Sequence, residues 1–183
     1  MLNCYSVVIQ PDDPDIIRFK FYKDKLSNTI GNYGSRNSMA HITILEFDAT
    51  EKELFSIVGK LNKIAREEMP FDAIFDQVVY SKTLLVLPDK DVDERFKKLL
   101  QKVRARIRGK NNNSSAHISI GRELTPEQIE NSQNLFPDFH FNFHCDQLAL
   151  RKRNGKVGQY DIVQTFLLSG VATKEESIQL SMF

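Results

Sequence analysis

Two of the four histidines in this chain stand in nearly the same surroundings. His41 lies in SMAHITILEF and His117 in SSAHISIGRE, each following an alanine and followed by isoleucine, a hydroxyl residue and isoleucine. Side chains alternate along a strand, so His41 and Thr43 project to one face and Ile42 and Ile44 to the other; His117 and Ser119 repeat the arrangement against Ile118 and Ile120. The isoleucines belong under helices, which leaves an imidazole and a hydroxyl on the opposite face, twice. Two imidazoles on one space suit displacement at a phosphodiester. A neutral one takes a proton from the attacking oxygen, and a protonated one across the phosphorus gives a proton to the departing oxygen, both forms being accessible near neutral pH. Thr43 and Ser119 would donate to the non-bridging oxygens.

Competing chemistries fit these residues less well. Hydroxyls are poor zinc ligands, and no third His, Cys or carboxylate accompanies either motif, so no metal site is expected. His140 and His144 alternate with Phe139, Phe141 and Phe143 and read as the polar side of a half-buried strand. No G-x-S-x-G elbow is present. Cys4 and Cys145 read as reduced thiols rather than as a disulfide scaffold or a nucleophile.

For the two motifs to share one space, the chain must bring them together, and its order of elements shows how. A strand at Tyr5 to Ile9 ends in a Pro/Asp cluster. Asp13 and Pro14 suit the cap and first turn of a helix to about Ser27, with Ile16, Phe19, Tyr22 and Leu26 facing the core. A Gly/Asn/Ser loop leads to the first histidine strand, and Thr50 with Glu53 forms a capping box for a second helix, ended by Pro70 before another strand. The order then repeats. KTLLVLPDKD is a strand; Val92, Phe96, Leu99, Leu100, Val103 and Ile107 mark a helix; GKNNNSS is a loop before the second histidine strand. Thr125 and Gln128, with Pro126 between them, make another capping box ahead of the strand FHFNFHCDQLAL. Pro11 to Pro88, His41 to His117 and Thr50 to Thr125 are separated by 77, 76 and 75 residues. A near-constant offset at three landmarks indicates an internal duplication of a strand, helix, strand, helix, strand unit. A last hairpin turns at Asn154 and Gly155.

Length and composition set the outer bounds. With 183 residues, 41% hydrophobic and 27% charged, and a net charge of +1, the chain is long enough for a substantial core and is not a broadly basic nucleic-acid coater. No apolar run approaches the ~20 residues of a membrane span, and the opening MLNCYSVVIQPDD lacks the basic and apolar regions of a signal peptide, so the expectation is a cytoplasmic protein away from membranes.

The paired H-x-[T/S]-x motifs, HITI and HISI, in a duplicated chain of this length resemble the 2H phosphoesterase superfamily, which includes 2'-5' RNA ligases and cyclic nucleotide phosphodiesterases. The resemblance spans essentially the whole chain. It implies an α+β fold, a single bilobal domain over 1–183 with lobe 1 about 1–80 and lobe 2 about 81–183. Each lobe would be an antiparallel sheet backed by helices, with the site in the cleft between them. It implies a metal-independent phosphoesterase without cofactor that opens 2',3'-cyclic phosphates or works on 2'-5' linkages in a nucleotide or RNA. Carried over by position, the catalytic residues are His41, Thr43, His117 and Ser119. Tyr160, with Tyr33 and Tyr80 behind it, is a candidate to stack on a base. Arg122 is a candidate phosphate contact, although plain alternation from His117 puts it on the wrong face. Because the duplication already supplies an internal pair, a monomer is expected. The basic stretches ERFKKLLQKVRARIRGK and RKRNGK could meet an RNA backbone, or be a solvated helix face and a charged hairpin tip. A non-catalytic nucleotide-binding or protein-interaction module on the same fold is the alternative.

Overall fold

The computed structural model describes residues 1–110, 113–155 and 159–171. Its elements are β1 (Asn3–Ile9), α1 (Asp13–Ile30), β2 (Ile42–Ala49), α2 (Glu51–Glu67), β3 (Phe71–Val79), β4 (Leu84–Pro88), α3 (Lys90–Arg106), β5 (Ile118–Gly121), α4 (Pro126–Ser132), β6 (Phe141–Cys145), β7 (Gln147–Arg153) and β8 (Tyr160–Leu167). The helices start where their sequences dictate. Thr50 with Glu53 and Thr125 with Gln128 both form complete capping boxes, and the Asp89 carboxylate caps α3 by accepting from Val92 N. The α1 cap is Asp12, one residue before Asp13, because its carboxylate accepts from Asp15 N at 2.9 Å and leaves Pro14 inside the first turn. That helix continues past Ser27 to Ile30 and stops at Gly31, whose φ of 77° only glycine adopts at little cost.

Two antiparallel four-stranded sheets result, in the orders β2-β1-β7-β8 and β5-β4-β3-β6. Neither sheet is made from one half of the chain. β3 joins the second sheet, and the hairpin β7–β8 crosses back to the first, so a division near residue 80 does not coincide with the division between sheets. The run expected as one strand, FHFNFHCDQLAL, breaks at Asp146: Phe141 to Cys145 pair with β3, whereas Gln147 onward pairs with β8 and, from Leu148, with β1. Exchanged strands tie the halves together. One contiguous core runs through both, from Val7, Ile9 and Ile42 to Phe75, Phe96 and Ile118.

Helices cover the sheets accordingly. α2 lies on β2, β7 and β8, α1 lies against β5 and sets Phe19 edge-to-face with Phe141, and α3 spans the seam between β2 and the strands β3 and β4. Phe139, Phe141 and Phe143 are buried while His140 and His144 are exposed, as alternation requires. Among the described residues no helix is long and apolar enough to cross a membrane.

Both histidine strands carry a β-bulge at the same place in the repeat. Val8 faces Thr43 but Val7 faces Leu45, so Ile44 is an extra residue; Leu85 faces Ser119 but Leu84 faces Gly121, so Ile120 is extra. Ile44 with Leu45, and Ile120 with Gly121, are consecutive buried residues. Alternation is reset, and the next residue, Glu46 in one copy and Arg122 in the other, returns to the face of the hydroxyl.

Candidate functional site

His41 and His117 each stand one residue before their strand and make the same contact. His41 Nδ1 lies 2.8 Å from the carbonyl oxygen of Met39, and His117 Nδ1 lies 2.8 Å from that of Ser115. A carbonyl can only accept, so Nδ1 carries the proton in both rings and Nε2 is the nitrogen left for chemistry. The backbone two residues back thus sets tautomer and ring orientation together.

The two motifs meet. One cavity of about 280 Å³ is lined by His41, Thr43, His117, Ser119 and Arg122, with Ser38, Met39, Thr83 and Leu85 completing its wall. Arg122 reaches this face through the Ile120 bulge, where unbroken alternation would have turned it away, and its backbone N–H donates to Ser35 Oγ at 2.9 Å. Among the described residues no three His, Cys, Asp or Glu side chains gather as metal ligands.

The histidines differ in electrostatic setting. His41 opens onto the cavity but is otherwise packed round by protein at the junction of the sheets, and burial first, then the Arg151 guanidinium, then Arg122 and Lys23 oppose its protonation. The Met39 carbonyl pulls the other way, and the balance brings its pKa down to about 3. At neutral pH its Nε2 is a free base.

Two cations that sequence reasoning passed over hold the motifs from behind. Lys23, 2% exposed, donates from Nζ to the Ser35 carbonyl at 3.2 Å and to Ser38 Oγ at 2.9 Å, fixing the loop that carries Met39 to His41. Arg104 donates from Nε to the Ile44 carbonyl at 2.9 Å and from Nη2 to the Ser114 carbonyl at 2.9 Å, so it joins the bulge beside Thr43 to the loop entering His117. Ser38 and Ser114 are the same position of the repeat, three before each histidine. A signal for Lys23 existed: it is four residues after Phe19 and three before Leu26, on the buried stripe of α1.

The remaining expected residues distribute plainly. Tyr160 opens β8 and lies in a second hollow that shares His41, Thr43 and Arg122 with the first; its hydroxyl donates to Glu46 Oε1 at 3.2 Å. Tyr33 is structural, its hydroxyl 3.1 Å from the carbonyls of Lys23 and Ile120, and Tyr80 accepts from Phe136 N. His144 pairs with Asp72 at 2.7 Å on the exposed side of the second sheet, away from the cavity. In the stretch from Glu94 to Lys110, Lys97, Lys102, Arg106 and Lys110 are engaged with acidic side chains and Arg104 with backbone, the pattern of a solvated, internally paired face. Of the second basic stretch, Lys156 lies outside the described residues, as do Asn111 and Asn112 of the earlier loop. Cys145 is buried and its thiol is pushed up by burial; both cysteines are free.

A profile of the 2'-5' RNA ligase superfamily matches residues 13–157. The chain belongs to this superfamily. Among solved structures, TT0787 of Thermus thermophilus is similar with a TM-score of 0.70 at 19% identity, covering 91% of this chain and 98% of that one. E. coli LigT complexed with 3'-AMP gives 0.70 at 12% identity over 92% and 99%. Usb1 of Kluyveromyces marxianus gives 0.52 at 16% identity over 91% and 98%. These likenesses show the fold. A sequence search of curated proteins finds no match. Within the 2'-5' RNA ligase superfamily fold, two antiparallel sheets backed by helices are thus established for this member, and its paired motifs fall within the matched span.

Proposed function

We propose that this superfamily member is a metal-independent 2H phosphodiesterase that opens a 2',3'-cyclic phosphate, or makes and breaks a 2'-5' linkage, in a nucleotide or RNA. His41 is the general base and His117 the general acid in the opening direction. Water attacks phosphorus while His41 Nε2 removes its proton. The bond from phosphorus to one ribose oxygen breaks, and His117 Nε2 protonates that oxygen, leaving a phosphomonoester beside a free hydroxyl. Thr43 and Ser119 donate to the non-bridging oxygens as charge builds on them. In the ligating direction the two imidazoles exchange roles. With both half-sites supplied by one chain, a monomer suffices.

The observation that carries this reading is the duplicated geometry: two imidazoles, each with Nδ1 committed to a carbonyl, together with two hydroxyls around one cavity. The cations about His41 support its assignment as the neutral partner. Nucleotide substrates accord with the 3'-AMP and NADP+ complexes of E. coli LigT. The test is turnover, in EDTA, of 2',3'-cyclic AMP and of a short RNA ending in a 2',3'-cyclic phosphate. His41→Ala and His117→Ala should each lose a factor of about 10² to 10⁴, with little further loss in the double variant because the two act as one unit. Activity that survives the double variant refutes the site, and a wild-type protein that binds nucleotides without turnover refutes the enzyme.

A further inference from the structure

The hollow next to the cavity has more in it than a single phosphodiester requires. It measures about 540 Å³ and runs from His41, Thr43 and Arg122 along the first sheet to Arg151, Arg153 and Tyr160. Arg151 is its most unusual wall residue. It is 6% exposed, and among the described residues no carboxylate forms an ion pair with it. Its Nε donates to Ser6 Oγ at 3.2 Å, and its guanidinium lies over the Tyr160 ring, 5.1 Å from the centroid. Tyr160 in turn is held by its hydrogen bond to Glu46. Glu46 is the acidic neighbour of this group and offsets part of its charge, and Asp161 lies at the rim.

The guanidinium is held at Nε and against one face, its Nη1 and Nη2 have no protein acceptor among the described residues, and neither is sealed from solvent, so both are available to a ligand in the hollow. Its two Nη donors match the edge of a phosphate. Register places it. Ser6 faces both Glu46 and Arg151, whereas Val8 faces Thr43, so Arg151 is two strands across from β2 and one facing row along from Thr43. Two strand spacings are roughly 10 Å. The Arg151 side chain accordingly lines the hollow beside Tyr160 and not the wall of the cavity that holds Thr43 and Ser119.

Resting on the phosphodiesterase reading above, we infer that Arg151, flanked by Arg122 and Arg153, is a second phosphate subsite, and that the substrate carries another phosphate about one nucleotide unit from the reacting one. The class is a 5'-phosphorylated cyclic nucleotide or an RNA end, in preference to a bare cyclic nucleoside phosphate.

The test compares kcat/KM for 2',3'-cyclic AMP, for the same compound bearing a 5'-phosphate, and for a dinucleotide ending in the cyclic phosphate. Wild type should favour at least one phosphate-bearing substrate by about 10-fold to 100-fold, the scale of one charge-assisted contact. A gain with the 5'-phosphate alone identifies a terminal monoester, and a gain with the dinucleotide alone identifies a bridging diester. In Arg151→Gln the preference should fall toward one. A ratio measured in one preparation does not depend on how much of it is folded. A wild-type ratio within about 2-fold of one, or a ratio that Arg151→Gln leaves intact, overturns the subsite. If none of the three is turned over, the enzymatic reading has failed, and calorimetric binding still decides the subsite: adenosine 3',5'-bisphosphate should bind about 10-fold more tightly than 3'-AMP to wild type and not to Arg151→Gln, whereas equal affinities overturn it.

Discussion

Replacing Lys23 with methionine should separate stability from activity. The ammonium is buried against α1 and the Ser35–Ser38 loop, and burial first, with the Arg122 charge second, lowers its pKa to about 7 from 10.5. An unfolded chain keeps that proton up to about 10.5, so between the two values the unfolded state binds more protons than the folded one and wild-type stability rises with pH. The penalty is fully present below about 7 and disappears as pH approaches 10.5. Three and a half pH units at ~1.4 kcal/mol each set an upper limit of ~5 kcal/mol on the difference. Methionine has a similar length and no charge. It leaves the Ser35 carbonyl without the ammonium but with its bond from Ser38 Oγ at 2.8 Å, so little is orphaned. At pH 7 Lys23→Met should therefore be as stable as wild type or more so, and this advantage should shrink as pH rises to 10. Activity should move the other way, because the Ser38–Met39 segment lines the cavity and orients His41 through the Met39 carbonyl. Urea unfolding of both proteins at pH 7, 8.5 and 10, with kcat/KM on a cyclic phosphate, reads both effects. Parallel stability curves for the two proteins would show that Lys23 does not titrate in this range, and undiminished activity would show that it does not position the loop.

Two further outcomes follow from the same cations. Arg104→Met removes bonds to the Ile44 and Ser114 carbonyls and should cost about 1–3 kcal/mol, measured by denaturant unfolding. Turnover should slow by about 10-fold or more, and Arg104→Lys should not restore it, since a point charge cannot replace the fork joining the two motifs. In a nitrogen-detected NMR titration the His41 Nε2 should stay unprotonated at pH 5, and inorganic phosphate bound in the cavity beside Arg122 should raise the pH at which it protonates. Because the folded value of about 3 lies below the ordinary one near 6.5, His41 withdraws ~1.4 kcal/mol of stability per pH unit as pH falls between them, a slope that His41→Gln should remove.

What the sequence disclosed was whatever depends on local pattern. The capping pairs Thr50/Glu53 and Thr125/Gln128 are local chemistry, and both helices begin where those residues stand. The histidine motifs were legible because a duplicated chain repeats them at a fixed interval. What escaped depends on pairing. Nothing in FHFNFHCDQLAL marks Asp146 as the point where the chain leaves one sheet for the other, since Phe143 and Leu148 are equally suited to either core. Alternation cannot foresee the bulge at Ile120 that turns Arg122 inward, because a bulge is a property of two strands in register. Lys23 was hidden by its charge: its spacing is that of a core residue.

The duplication also shows where the two copies had to diverge. His41 with His117 and Thr43 with Ser119 are matched in kind, and a site built of these four alone would present the same face to both sides of a phosphorus atom. The proposed displacement uses one imidazole as base and the other as acid, and the residues around the two motifs differ. Glu46 and Arg122 occupy the same place after the same bulge and carry opposite charges. Glu46 is drawn to Tyr160, and Tyr160 supports Arg151; Arg122 stays on the cavity wall. Both guanidiniums act against protonation of His41. In the copy that carries the acidic residue, burial first and these guanidiniums second bring the His41 pKa down. The setting of His41 in the proposed reaction thus depends on its burial and on diverged neighbours, which the duplicated motif alone does not determine.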